Sequence, residues 1–283
     1  MQFGTVYVRK KGGRIKPLKN VPFSDFHIKK GKTMNRKEII LEGMTSISAL
    51  LNTDAKINDR AIFRVLIDRQ KTAKKAPEIR FLEAQESLRG FAIQFTDADE
   101  IDALASGKTH GGILAVCGDR TLPALTSEQI LPGGFYVYLE GMEDPYNFGN
   151  TLRSLYAAGV DGIVVPERNW MSAAGIVARS SAGASERLPI LTADARQTEV
   201  LFHQAGYQIL CAGIRDSVSI FEESFHYPIL LVIGGEKRGI SRELLEAADQ
   251  TIRIDYGRNF RGSLSSSASA AVLAFELFRQ NRH

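Results

Sequence analysis

The second half of the chain carries five short, almost uninterrupted apolar runs, FYVYLEG, VDGIVVP, YQILCAG, PILLVIGGE and TIRIDY, with helical segments between them. Strands that are apolar at nearly every position are buried on both faces. Their alternation with helices predicts an α/β fold built on a parallel sheet. Ligands of such sheets sit beyond the carboxyl ends of the strands. The ends of interest are therefore Glu140-Gly141, Ala212-Gly213, Gly234-Gly235-Glu236 and Asp255-Tyr256.

The region before these runs is mixed. RKEIILEGMTSISALLN places Ile40, Met44, Ile47 and Leu51 near helical spacing and predicts a helix. AIFRVLIDR, FAIQFT and GGILAVCG read as strands, PEIRFLEAQESLRG as a helix closed by Gly90, and DADEIDALAS as a short helix with an acidic start. His110 stands just ahead of a Gly-Gly pair and the third of these strands. RTLPALTSEQILPGG, with two prolines and a glycine pair, reads as a linker. The expected organisation is a basic arm over 1–37, a small αβ domain over 38–122, a linker over 123–133 and the parallel-sheet domain over 134–283.

Charge changes this picture at one end. The net +4 conceals eleven Lys/Arg against a single acid, Asp25, in residues 1–37, a local +10 that leaves −6 for the remainder. Such a block releases counterions from phosphates, the sequence-independent part of nucleic-acid binding. TVYVRK and RIKPLK around Lys-Gly-Gly predict a short basic hairpin within it, and Lys71, Lys74 and Lys75 form a second cluster. Cys117 and Cys211, each in an apolar run, suit a reducing compartment, and five scattered histidines suggest no metal site. No apolar run nears the ~20 residues of a membrane span. A soluble cytoplasmic protein is expected.

Three strand ends carry chemistry. In DPYNFGNTLRSLYAAG, Asp144 and Pro145 open a helix whose stripe Leu152, Leu155, Tyr156 and Gly159 faces the core. Asn147 is expected just before the first turn. Arg153 lies off the stripe, among small neighbours Gly149, Asn150 and Ala157 that leave its guanidinium free. In ILLVIGGEKRGIS a buried strand breaks at two glycines, followed by Glu236 and by Ser241, which is placed to cap the next helix. The spacing is neither a dinucleotide fingerprint nor a Walker loop. In TIRIDYGRNFRGSLSSSASAAVLAFELF a basic loop leads into small residues, and Ala268, Ala271, Phe275 and Phe278 continue as one helical stripe.

These segments, in this order, resemble the motifs of the SpoU/TrmH branch of the SPOUT methyltransferases. Asp144, Pro145, Asn147, Gly149, Arg153 and Gly159 match the first motif, and Gly234, Glu236, Gly239, Ile240 and Ser241 the second. The third matches at Ile254, Gly257, Ser263, Leu264 and Ser267, but Asp255-Tyr256 replaces Pro-Met, the loop is one residue longer, and Ser265 replaces Asn. RSSAGASERLPI also resembles the stretch between the first two motifs. Ahead of them, EGMTSISALL, VLID and THGGILAVC resemble a small ribosomal-protein-like domain that contacts RNA in the family.

The resemblance implies a C-terminal trefoil knot, a homodimer, and S-adenosylmethionine held at Gly234, Ile254 and Leu264. It implies methyl transfer to a ribose 2′-OH of RNA, ribosomal RNA ahead of transfer RNA. Arg153 would activate the hydroxyl, Asn147 and Glu236 would orient Arg153 or the ribose, and Ser263 would hydrogen-bond beside them. Ser265 leaves a second reading open, an RNA-binding protein of this fold without turnover. A third, a small-molecule binder without RNA, predicts no salt-dependent RNA affinity.

Overall fold

A computed structural model describes residues 6–9, 15–18, 38–167 and 173–282. Most of the basic arm lies outside the described residues. Its hairpin strands, β1 (Val6–Arg9) and β2 (Ile15–Leu18), pair antiparallel with Val6 opposite Leu18.

The remainder divides into two compact units, one running to Ile47 and resuming over Arg60–Asp119, the other comprising Ser48–Asp59 and Arg120 onward. In the first, β3 (Ile39–Glu42), β4 (Ile62–Asp68), β5 (Ala92–Thr96) and β6 (Ile113–Cys117) form a mixed sheet in the order β3-β6-β4-β5. The helix expected from RKEIILEGMTSISALLN is shorter than its apolar spacing suggests. Ile39–Glu42 pairs with the fully buried β6, and α1 (Gly43–Leu51) begins only where Gly43 turns at φ +77°. Pairing with a buried strand outweighs helical periodicity in a β-branched run. α2 (Ala76–Arg89) ends as expected on Gly90 in the left-handed conformation, and α3 (Ala98–Leu104) follows β5. His110 is buried. Its Nδ1 accepts from the Gly112 amide at 3.1 Å and its Nε2 lies 3.1 Å from Asp102, so it secures the turn into β6.

Two boundaries move. Residues 48–59, expected in the small domain, cluster with the second unit because their polar groups bond there. Asn58 donates to the buried Glu186 carboxylate at 2.7 Å, Arg120 donates to the Ile57 carbonyl at 2.8 Å, and the Thr121 amide donates to Asp59 at 2.8 Å. The expected linker also belongs to that unit. Leu125 and Ile130 are buried, and the chain runs alongside Thr192, whose carbonyl accepts from Leu125 at 2.8 Å.

The second unit is a seven-stranded sheet, every pair parallel, in the order β11-β13-β10-β12-β7-β8-β9. The five apolar runs supply β7 (Phe135–Glu140), β8 (Gly162–Val165), β10 (Gln208–Ala212), β12 (Ile229–Gly234) and β13 (Gln250–Arg253), and β13 stops two residues short of the expected end. The edge strands β9 (Ile190–Thr192) and β11 (Val218–Ser219) are too short to stand out in the sequence. Alternate residues feed two cores. Val137, Leu139, Leu231 and Ile233 pack under α4 (Pro145–Ala157), α5 (Ala174–Ser180) and α9 (Ser266–Asn281). Tyr136, Tyr138, Leu230 and Val232 pack under α7 (Ala195–Gln204) and α8 (Arg242–Ala247). The short α6 (Ala184–Arg187) carries Glu186.

From β7 the chain winds outward through β8 to β9, then returns to the other side of β7 with β10, β12 and β13. The order reverses between β7 and β12, where Glu140 lies in register with Gly234. This switch point is where an open α/β sheet leaves a crevice. No helix among the described residues is long and apolar enough to cross a membrane.

Candidate active site

The β7–α4 connection forms one wall of that crevice. Asp144 has extended backbone and its carboxylate accepts from the Asn147 amide at 2.8 Å, capping the helix, with Pro145 in its first turn. Asn147 therefore lies inside the first turn of α4, not ahead of it as expected. Its side-chain amide donates to Glu236 Oε1 at 3.2 Å, across from β12.

Phe148, Leu152 and Leu155 are buried on α4, each worth ~1.5–3 kcal/mol of transfer free energy. Tyr156, expected on this stripe, is instead 42% exposed. Gly149 does not free Arg153. It is buried where α4 crosses α5, and a Cβ there would stand 1.9 Å from Ser180 Oγ. Arg153 is exposed on the outer face, with Tyr146, Asn150 and Tyr156. Six residues of helix separate it from Asn147 by about 9 Å along the axis and roughly a third of a turn. Among the described residues, no hydrogen bond joins Arg153 to Asn147 or Glu236.

The β12–α8 loop is bound closely to this wall. The Ser241 amide donates to Glu140 at 2.8 Å and Lys237 pairs with Glu143 at 3.0 Å. Ser241 precedes α8 without capping it, and its buried hydroxyl has no hydrogen-bond partner among the described residues. A Cβ on Gly235 would meet the Gly141 carbonyl oxygen at 2.2 Å, and one on Gly234 would meet the Gly239 carbonyl carbon at 2.4 Å. The glycines are there because backbone passes backbone. Glu140 was marked in the sequence as a strand end but given no site role. Its place at the end of an apolar run was the available signal.

The third loop, 254–265, closes the crevice. Ser263 is exposed at its rim. Ser265 is the N-cap of α9, accepting from the Ala268 amide at 3.3 Å, and it lies 3.1 Å from Ser267 Oγ. Ser266, which the sequence did not single out, is buried and donates to the Gly234 carbonyl at 2.9 Å, tying the third loop to the second. Asp255 accepts from Ser219 and from Arg253, and chiefly the Ser219 hydroxyl holds its carboxyl below the usual range. Beneath the crevice, burial pushes the Cys211 thiol up to about 12, so it stays a neutral core residue.

Together the loops enclose a cavity of about 910 Å³. Glu236, Ser263, Ser265, Gly234, Ile254 and Leu264 all line it, and Asn147 reaches it through Glu236. Arg153 does not line it. The lining is apolar at Ile233, Ile254, Leu264 and Leu273, open at the glycines, and charged at Glu236, Asp255, Arg253 and Arg261, of which Arg253 and Asp255 pair with each other. That combination suits a partly apolar ligand with polar groups, in the size range of small-molecule sites.

The fold and this cavity define a parallel α/β protein with a ligand site at the switch point of its sheet. The chain superposes on an AdoMet-bound rRNA methyltransferase from Sinorhizobium meliloti with a TM-score of 0.70 at 22% identity, covering 86% of this chain and 87% of that one. It superposes on an RNA 2′-O ribose methyltransferase with a TM-score of 0.70 at 23% identity, covering 87% and 90%. Residues 134–275 match the SpoU rRNA Methylase family, and the chain belongs to that family. Among similar proteins, the 23S rRNA (guanosine-2′-O-)-methyltransferase RlmB of Yersinia pestis is 30% identical, over 85% of this chain and 97% of its own. That of Shewanella oneidensis is 29% identical over 87% and 99%. A putative TrmH family tRNA/rRNA methyltransferase of Staphylococcus saprophyticus is 28% identical over 87% and 98%.

Proposed function

We propose that this protein is an RNA 2′-O-ribose methyltransferase that uses S-adenosylmethionine, acting on ribosomal RNA as a homodimer with a knotted C-terminal region. The observation that carries the reading is the switch-point cavity. There the Asn147–Glu236 pair, the glycine-lined second loop and the Ser263 rim face one space. The residues fit the cofactor: Gly234, Ile254 and Leu264 would hold it. When bound, it supplies a methyl group on a positively charged sulfur. Asn147 holds one Glu236 oxygen and leaves the other to accept from a ribose hydroxyl, which aligns the poor nucleophile. Ser263 offers a further donor at the rim.

Arg153 stands outside its own chain's cavity, and this supports the dimer. The outer face of α4 exposes Tyr146 at 48% and Tyr156 at 42%, and the adjoining α9 exposes Phe275 at 45% and Phe278 at 37%. A second copy covering these rings would bring its Arg153 to the cavity, where the guanidinium would sit beside the 2′-OH and its neighbouring phosphate. The knot is supported by the return of α9 to β12 after β13, where Ser266 bonds Gly234 inside the second loop. Ser265 supports turnover, because Ser and Asn serve equally as N-caps. The relatives named for 23S rRNA support ribosomal RNA as the substrate.

The test is single-turnover transfer of labelled methyl to ribosomal RNA. Arg153→Ala is expected to lower the rate by ~100-fold or more. Mixing Arg153→Ala with Glu236→Ala protein is expected to restore part of it through dimers holding one intact site. Equal labelling by wild type and Arg153→Ala would remove the role of Arg153. A mixture no more active than either variant would remove the shared site.

A further inference from the structure

The third loop is one residue longer than the family pattern and exposed over most of its length, and the residues it presents have their own chemistry. Tyr256-Gly257-Arg258-Asn259-Phe260-Arg261-Gly262 holds two aromatic rings and two cations and no acid. Phe260 is 55% exposed, yet its ring is not loose. It lies 5.7 Å from the Tyr256 ring, tilted by 58°, and against the Gly262 backbone, where a Cβ would come within 2.5 Å of it. Tyr256 is anchored in turn, its hydroxyl accepting from the Leu264 amide at 3.2 Å. Tyr256, Phe260 and Arg261 line the cavity itself. Arg258 and Arg261 are exposed, and neither forms an ion pair among the described residues, whereas nearby Arg253 is taken by Asp255.

We infer that this loop is an RNA-reading element: an unpaired base next to the target nucleotide stacks on Phe260, and Arg258 and Arg261 hold the flanking phosphates. The inference rests on the proposed function. A ring supported on one side and open on the other, at the mouth of a ribose site, offers a stacking surface that any base can use. Two unpaired guanidiniums on either side of it match the phosphate spacing problem that single-stranded RNA poses.

A hairpin RNA with 2-aminopurine in its single-stranded loop tests this, because stacking quenches that base. Wild type is expected to quench it on binding. Phe260→Leu, which keeps apolar bulk but no π-face, is expected to lose the quench and weaken RNA binding about 5- to 150-fold. Phe260→Trp is expected to restore both. S-adenosylmethionine affinity, measured by calorimetry, is expected to fall less than RNA affinity in Phe260→Leu. Arg258→Ala with Arg261→Ala is expected to flatten the slope of log Kd against log salt by about 1.4. Unchanged quench and affinity in Phe260→Leu would overturn the inference, as would a loss confined to the cofactor. Wild-type protein that binds no RNA at all would overturn the proposed function with it.

Discussion

The second and third loops line the same cavity but are held in opposite ways. The second is fastened to the β7–α4 wall by Glu140 to the Ser241 amide, Glu143 to Lys237 and Asn147 to Glu236, and its glycines sit in backbone contact. The third is exposed from Asp255 to Ser263 apart from the half-buried Tyr256, and its own tyrosine and Ser266 hold it. Where backbone packs on backbone, a side chain has no room to vary. Where a loop carries its own props, its surface is free to diverge. In this chain the second motif keeps the family pattern, and the third departs from it at Asp255-Tyr256 and Ser265.

The contrast can be broken from its rigid side first. Gly235→Ala puts a methyl group 2.2 Å from the Gly141 oxygen, with backbone on both sides. It is expected to cost about 3 kcal/mol in urea unfolding, at the upper end for overpacking. A cost under about 0.5 kcal/mol would show that the wall can yield. Ser266→Ala removes the single bond by which the third loop grips the second, and is expected to cost about 1 kcal/mol. A second effect sharpens it: cofactor affinity is expected to fall too, since Gly234 and Leu264 lie on the two joined loops. The smallest change is expected from Ser265→Asn, which restores the family residue and keeps the cap, within a few tenths of a kcal/mol. Loss of about 1 kcal/mol there would mean that the serine does more than cap α9.

Much of the fold was legible because burial on both faces leaves a strong local trace. Five apolar runs became five central strands. The failures have local causes as well. Ile39–Glu42 looked helical because Ile40 and Met44 sit four apart, but pairing with β6 decided it. The linker at 123–133 read as turn-rich, yet Leu125 and Ile130 are core residues. At the site, the cavity gathers Gly234, Glu236, Ile254, Ser263, Leu264 and Ser265. Asn147 reaches it only through Glu236, and Arg153 does not line it, because which face of α4 turns toward the sheet is decided only when the helix packs.

The sequence by itself determined the parallel sheet, its strand ends and the glycine loops, because each depends on which residues neighbour one another along the chain. Only the tertiary structure decided that Asn147 meets Glu236, that Ser266 grips Gly234, and that Arg153 is not on the lining of its own cavity. Those relations join residues as many as 89 positions apart. They arise from strand order and helix rotation, which local preferences leave open until the cores pack.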